Sequence, residues 1–170
     1  MSFGSPLIAR IADFLQEIGI PVRPAKIMGT TVLPGIDVEH GELLIDEQRL
    51  LHPGDILHEA GHLAVATPER RRQIDHDVGE DPAEEMMAIA WSYAAALHLG
   101  VDPALVFHPE GYKGDAPTLL ENFTSGRFLA VPTLQWIGMA YEPAKAAELG
   151  GPAYPQMRRW IREDPAPGPA

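Results

Sequence analysis

The chain has 170 residues with 45% hydrophobic residues, a formal net charge of −11 and no cysteine. This length suits one domain with its own core, and the acidic balance argues against nucleic acid or an anionic membrane as a partner. The lack of cysteine excludes disulfides, thiolate metal sites and cysteine nucleophiles. Residues 1–20 lack the uninterrupted apolar run of a signal peptide, which predicts a cytoplasmic protein.

The first elements along the chain are one helix and a small sheet. A helix is predicted over residues 6–18, because apolar residues recur there at helical spacing. Strand-like sequence follows at the β-branched segment Thr30–Leu33. Ile36–Glu39 and Glu42–Asp46 flank the dipeptide His40-Gly41, a pattern that is typical of an antiparallel hairpin.

The rest of the chain is predicted to be mostly helical. Longer helices are expected at about 53–67 and 82–99, on either side of a charged, loop-like segment at 69–81. Shorter helices are predicted at Pro103–His108, Pro117–Phe123, Pro132–Ala140, Pro143–Leu149 and Pro155–Arg162. The order of elements predicts an α+β fold with a single domain at 1–162, followed by a disordered Pro-rich tail at 163–170.

The most informative motif is His58-Glu59-Ala60-Gly61-His62, an H-E-x-x-H pattern inside a predicted helix. Residues i and i+4 lie one turn apart on the same helix face, so both imidazoles can reach one metal ion. Glu59 sits at the edge of that face, where it can take a proton from a metal-bound water. Gly61 is unfavourable inside a helix, which indicates that another segment of backbone packs closely against it.

A third ligand has to come from elsewhere in the chain. The residue six positions after the second histidine is Pro68, which cannot bind a metal, so a later element must supply the ligand. Glu85 is favoured, because Ala88 and Ser92 share its helix face and are small enough for that face to lie against the metal helix. The alternatives that the residues leave open are Glu84, His76 and Asp77.

His58-Glu59-Ala60-Gly61-His62 followed by Glu85, Ala88 and Trp91 resembles the gluzincin zinc metallopeptidases, and most nearly the small bacterial ImmA/IrrE-type peptidases. The similar region runs from about Ile36 to Leu99. Ile89 departs from the family pattern, which often has Asn or Asp after the alanine, and residues 101–162 match nothing in it.

This resemblance implies a zincin-like fold, with a small antiparallel sheet packed on helices that include the H-E-x-x-H helix. It also implies that Zn2+ is bound by His58, His62 and Glu85. Peptide bonds of a peptide or protein substrate would be hydrolysed by a zinc-bound water, with Glu59 as the general base. The hairpin before the metal helix would be the edge along which a peptide adds as an extra strand.

The sequence leaves open which residue stabilises the oxyanion and whether the domain is catalytic. A zinc peptidase usually needs a side chain that stabilises the oxyanion, and the candidates are His76, His108, Tyr112, Arg127 and Tyr141. The alternative function is a catalytically inactive zinc-binding domain with a regulatory or interaction role, in which a fourth protein ligand would close the site. The sequence predicts neither the oligomeric state nor the cleavage specificity.

Overall fold

The computed structural model describes residues 2–163 and has an α+β architecture that is mostly helical. Helix α1 (Pro6–Glu17) is capped at its N-terminus by Ser5, whose hydroxyl accepts a hydrogen bond from the amide of Ile8. It buries one apolar face, which confirms the predicted first helix. Of the predicted disordered tail at 163–170, all but Glu163 lies outside the described residues.

The sheet has three short strands, β1 (Val22–Pro24), β2 (Ile36–Glu39) and β3 (Glu42–Ile45), in the order β1-β3-β2. The predicted hairpin is confirmed, with His40 and Gly41 at the positive φ angles, 50° and 82°, that a tight two-residue turn requires. However, β1 pairs with β3 in parallel, so the sheet is mixed and not wholly antiparallel as expected.

The prediction of a strand at Thr30–Leu33 is wrong, because this segment is irregular, with bends at Val32 and Leu33. The additional strand is β1, which follows α1 directly. It has only three residues and ends at Pro24, so neither its length nor its pattern distinguishes it in the sequence. Pairing with β3 creates this strand, and that pairing is a tertiary contact.

Two helices form the centre of the molecule, α2 (Asp55–Val65) and α4 (Pro82–His98). They cross at Gly61 and Ala88, where a Cβ added to Gly61 would lie 2.8 Å from the Ala88 carbonyl oxygen. The close approach expected from a glycine inside a helix is therefore confirmed. Asp81 caps α4 by accepting a hydrogen bond from the amide of Ala83.

The segment expected to be a loop at 69–81 begins with a short helix, α3 (Pro68–Gln73). The Thr67 hydroxyl accepts a hydrogen bond from the amide of Arg70, so this helix has its own cap. Arg71 donates to the carbonyls of Leu63 and Ala66 at the end of α2. These hydrogen bonds satisfy carbonyls that the end of the helix leaves unpaired. Arg71 therefore anchors this segment to α2, whereas the charge of the segment predicted a loop.

The C-terminal region contains α5 (Ala116–Thr124), α6 (Val131–Trp136) and α7 (Pro143–Leu149). The helices predicted near α5 and α7 are confirmed, whereas α6 ends before the expected Ala140. The segment at 103–108 contains only a 3₁₀ turn, Pro103–Leu105.

The helix predicted at Pro155–Arg162 is wrong, since this segment consists of turns and bends. Its amides bond to distant carbonyls, with Arg158 donating to Met139 and Arg162 to Ala64. The Trp160 carbonyl also accepts a hydrogen bond from the indole of Trp91 at 2.9 Å. These contacts hold the C-terminal segment against α2, α4 and the residues after α6, and they replace the hydrogen bonds of a helix.

The buried core extends from Ile8 in α1 to Tyr154 near the C-terminal end. Trp91 is fully buried in α4, and the Tyr154 hydroxyl donates to the carbonyl of Ala90 at 2.8 Å. Within residues 2–163, no helix has the length and apolar character needed to cross a membrane.

Candidate metal centre

Three predicted ligands, His58 and His62 on α2 and Glu85 on α4, meet at the crossing of these helices. We call these three residues the helix cluster. The Nε2 atoms of the two histidines are 3.3 Å apart. Oε2 of Glu85 lies 3.1 Å from Nε2 of His62 and 3.6 Å from Nε2 of His58. Two nitrogens and one oxygen therefore form a nearly equilateral triangle.

This triangle has the size that a zinc ion requires. Ligands about 2.0–2.1 Å from a tetrahedral zinc ion are separated from one another by about 3.3 Å. The three observed separations, 3.1, 3.3 and 3.6 Å, bracket that value. The donor set of two imidazoles and one carboxylate is also one that zinc binds readily. The residues present thus fit the implied ion without rearrangement.

Glu84 occupies a different place from Glu85, although the two are adjacent. Its carboxylate accepts two hydrogen bonds from the guanidinium of Arg70, at 3.0 and 3.1 Å. Oε1 of Glu84 lies 3.5 Å from Nδ1 of His62, a nitrogen that has no closer partner among the described residues. Glu84 therefore faces the rear of the His62 ring, where it orients the ring and leaves Nε2 for the metal.

His58 is held in the same manner by Tyr112, whose hydroxyl lies 3.2 Å from Nδ1 of the ring. The two rings meet edge to face, with centroids 5.3 Å apart. A proton on Nδ1 of His58 would be donated to the Tyr112 oxygen and would leave Nε2 unprotonated. Tyr112 was a candidate for stabilising an oxyanion, but it lies behind a ligand ring and orients that ring instead.

The charges at the centre follow from this packing. Burial alone would lower the pKa of His62, but hydrogen bonding to Glu84 and Glu85 outweighs it and raises the pKa to about 9. Hydrogen bonding to His58 and His62 holds the pKa of Glu85 far below its usual range. A carboxylate and two imidazoles therefore attract the same positive charge, which a proton or a metal ion can supply.

Glu59 lines a small pocket beside β2, which it shares with Asp37 and His76. It is buried, and its Oε2 atom has no hydrogen-bond partner among the described residues. Burial raises the pKa of this carboxyl group, an effect that the neighbouring His58 and His62 oppose only partly. An unpartnered carboxylate with a raised pKa is a suitable proton acceptor.

Among the oxyanion candidates, His76 is the residue that shares a pocket with Glu59. Its Nδ1 atom lies 3.1 Å from Oδ1 of Asp37, and hydrogen bonding to this carboxylate raises the pKa of His76. The remaining candidates are bound elsewhere: His108 contacts Asp55, Arg127 contacts Glu121, and Tyr141 lies under the guanidinium of Arg158. His76 and Asp77, the other possible third ligands, are both outside the helix cluster.

The sheet edge near this pocket belongs to β2, because β3 is the central strand. Several backbone groups on that edge already have partners within the chain. The Val38 carbonyl accepts from the amide of His76 at 2.7 Å, and the Ile36 amide donates to the carbonyl of Leu33. A peptide could therefore pair with β2 as an added strand only where the segment around His76 moves aside.

Sequence reasoning missed three contributors to the centre, namely Arg70, Asp37 and the role of Tyr112. Arg70 belongs to the charged segment at 69–81 that was predicted to be a loop, and Asp37 is one acidic residue of an alternating strand. Tyr112 lies 54 positions after His58. Their roles depend on long-range packing, and no local pattern marks them.

Comparisons with known protein families, with curated proteins and with solved structures find no match to this chain. The case for a zinc site therefore depends on the motif and on the geometry of its side chains.

Proposed function

We propose that this chain is a zinc-dependent metallopeptidase of the zincin kind, in which His58, His62 and Glu85 hold the ion and Glu59 is the general base. The observation that carries the proposal is the triangle of ligand atoms, with separations of 3.1, 3.3 and 3.6 Å. These match the spacing that a tetrahedral zinc ion imposes on its ligands.

The bound ion would act as a Lewis acid toward the peptide carbonyl and would make the attacking water more acidic. Glu59 would take the proton from that water and pass it to the leaving amine, because its Oε2 atom has no hydrogen-bond partner within residues 2–163. His76, whose pKa is raised by hydrogen bonding to Asp37, would stabilise the negative charge that develops on the carbonyl oxygen. Glu84 and Tyr112 would keep the two imidazoles in orientation.

The openness of the site favours catalysis over a purely structural role. Structural zinc sites are usually closed by four protein ligands, whereas catalytic sites keep one position for water. Within residues 2–163, the group of converging ligand atoms contains three residues. The Glu85 side chain is 41% exposed, so solvent can reach the ligands from that side.

The experiment compares wild type with Glu59→Gln, and with Glu17→Gln as a matched control on the exposed surface of α1. Zinc content is measured by inductively coupled plasma mass spectrometry, and hydrolysis is measured on a library of quenched fluorescent peptides. We expect all three proteins to bind zinc, and the rate of Glu59→Gln to fall by about 10²–10⁴-fold.

Two outcomes would contradict the proposal. Full hydrolytic activity in Glu59→Gln would show that another group is the base. A wild-type protein that binds zinc tightly but cleaves no peptide in the library would favour the non-catalytic zinc-binding alternative.

A further inference from the structure

A second group of metal-binding side chains lies beside the start of α2 and consists of His52, His108 and Glu110. We call these residues the loop cluster. His52 precedes α2, while His108 and Glu110 follow the 3₁₀ turn at Pro103–Leu105. Oε2 of Glu110 lies 3.5 Å from Nδ1 of His108 and 3.9 Å from Nε2 of His52. One ligand atom from each residue lies within 4.8 Å of the other two.

His108 is the fixed member of this cluster. Its Nε2 atom lies 2.7 Å from Oδ1 of Asp55, and because a carboxylate only accepts, Nε2 carries the proton and donates. In the neutral ring, the other nitrogen, Nδ1, presents a lone pair. His108 is only 9% exposed, and its Nδ1 atom has no hydrogen-bond partner among the described residues. A buried imidazole nitrogen without a hydrogen-bond partner is available as a metal ligand.

His52 and Glu110 can move to complete the site. The rings of His52 and His108 are stacked with centroids 3.7 Å apart, and a single ion cannot lie in the planes of two parallel rings. The side chain of His52 is 30% exposed and that of Glu110 is 68% exposed, so both can turn toward Nδ1 of His108. The cost of this turn makes the site weaker than the helix cluster.

We propose that His52, His108 and Glu110 bind a second divalent transition-metal ion, of the zinc class, with Asp55 orienting His108. Two imidazole nitrogens and one carboxylate oxygen prefer such an ion over calcium or magnesium, which favour all-oxygen sites. The bound ion ties the segment after the 3₁₀ turn to the segment before α2. It therefore stabilises the fold in addition to the ion of the helix cluster.

The test is a calorimetric titration of the chelator-stripped full chain with Zn2+ alone. We expect a tight and a weaker class of site in wild type. His52→Ala and Glu110→Gln should lose only the weaker class, and Asp55→Asn should weaken it by about 10–100-fold. The matched controls are His40→Asn and Glu148→Gln, both at exposed positions, which should keep both classes.

The double variant His58→Ala/His62→Ala separates this proposal from the proposed function. It should lose the tight class of site and keep the weaker one. Its melting temperature should also still rise at high zinc concentration. A single class in wild type that disappears in the double variant would overturn the second site and leave the proposed function intact. Retention of the weaker class in both His52→Ala and Glu110→Gln would also overturn it. If the double variant kept the tight class, the helix cluster would be the wrong site.

Discussion

The helix cluster and the loop cluster each offer two imidazole nitrogens and one carboxylate oxygen, but they differ in how the chain positions them. His58 and His62 are placed by one turn of α2, and both rings are held from behind by Tyr112 and Glu84. In the loop cluster only His108 has such a partner, Asp55. Rigid ligands lose less conformational freedom on binding, so the helix cluster should bind zinc more tightly.

This comparison shows what a helical motif contributes to a metal site. Spacing of i and i+4 brings two nitrogens together before any tertiary contact forms, and α4 then supplies only the third ligand. The loop cluster has no such local preparation, because His52 and His108 are brought together by the packing of two irregular segments. The difference can be tested by disturbing each cluster in turn.

The largest effect is expected from His62→Ala. Removing a direct ligand should weaken zinc binding by more than about 100-fold, the upper range for partners that only orient a ligand. Hydrolysis should fall below detection, whereas His52→Ala should keep it. The measurements are zinc affinity by competition with a chromophoric chelator and peptide cleavage. Equal losses in both variants would show that the two clusters are not distinct.

A smaller effect is expected from Glu84→Gln, which removes the charge behind His62 and breaks the pair with Arg70. Zinc affinity should fall by about 10–100-fold, with the stoichiometry unchanged. Glu80→Gln, at an exposed position in the preceding segment, is the control. Loss of the ion altogether would indicate that Glu84 is itself a ligand.

Gly61→Ala tests whether close contact between the helices fixes the spacing of the helix cluster. Alanine gains about 1 kcal/mol in helix propensity, but overpacking costs about 1–3 kcal/mol. The atom in the way is a backbone oxygen of α4, which cannot move aside cheaply. We therefore expect a net loss of up to about 2 kcal/mol in the free energy of unfolding, measured in urea. Gly4→Ala, with no neighbouring atom closer than 3.8 Å, is the control.

The smallest effect is expected for the pH dependence of stability that arises from His76, a residue that belongs to neither cluster. Hydrogen bonding to Asp37 raises its pKa, so the folded state favours the protonated ring. The resulting stability is fully present below the unfolded pKa of about 6.5 and is lost as the pH rises through the folded pKa. An NMR titration should show a raised pKa for His76 that returns toward 6.5 in Asp37→Asn and not in Asp13→Asn.

Much of the N-terminal half could be predicted from the sequence, because its signals are local. The apolar spacing of α1, the turn at His40-Gly41 and the cap at Asp81 each depend on residues a few positions apart. The pair of histidines on α2 was predictable for the same reason. Gly61 even indicated a close helix contact, since a glycine is unfavourable there without one.

Other features were decided by tertiary structure alone. Strand β1 exists because it pairs with β3, and the C-terminal segment is not a helix because its amides bond to Met139 and Ala64. The different positions of Glu84 and Glu85 were also decided by the fold. Both residues lie in the first turn of α4, and only the angle at which α4 crosses α2 places Glu85 at Nε2 of His62 and Glu84 at Nδ1. Spacing along a helix fixes which side chains share a face, but not which atoms of a second helix meet that face.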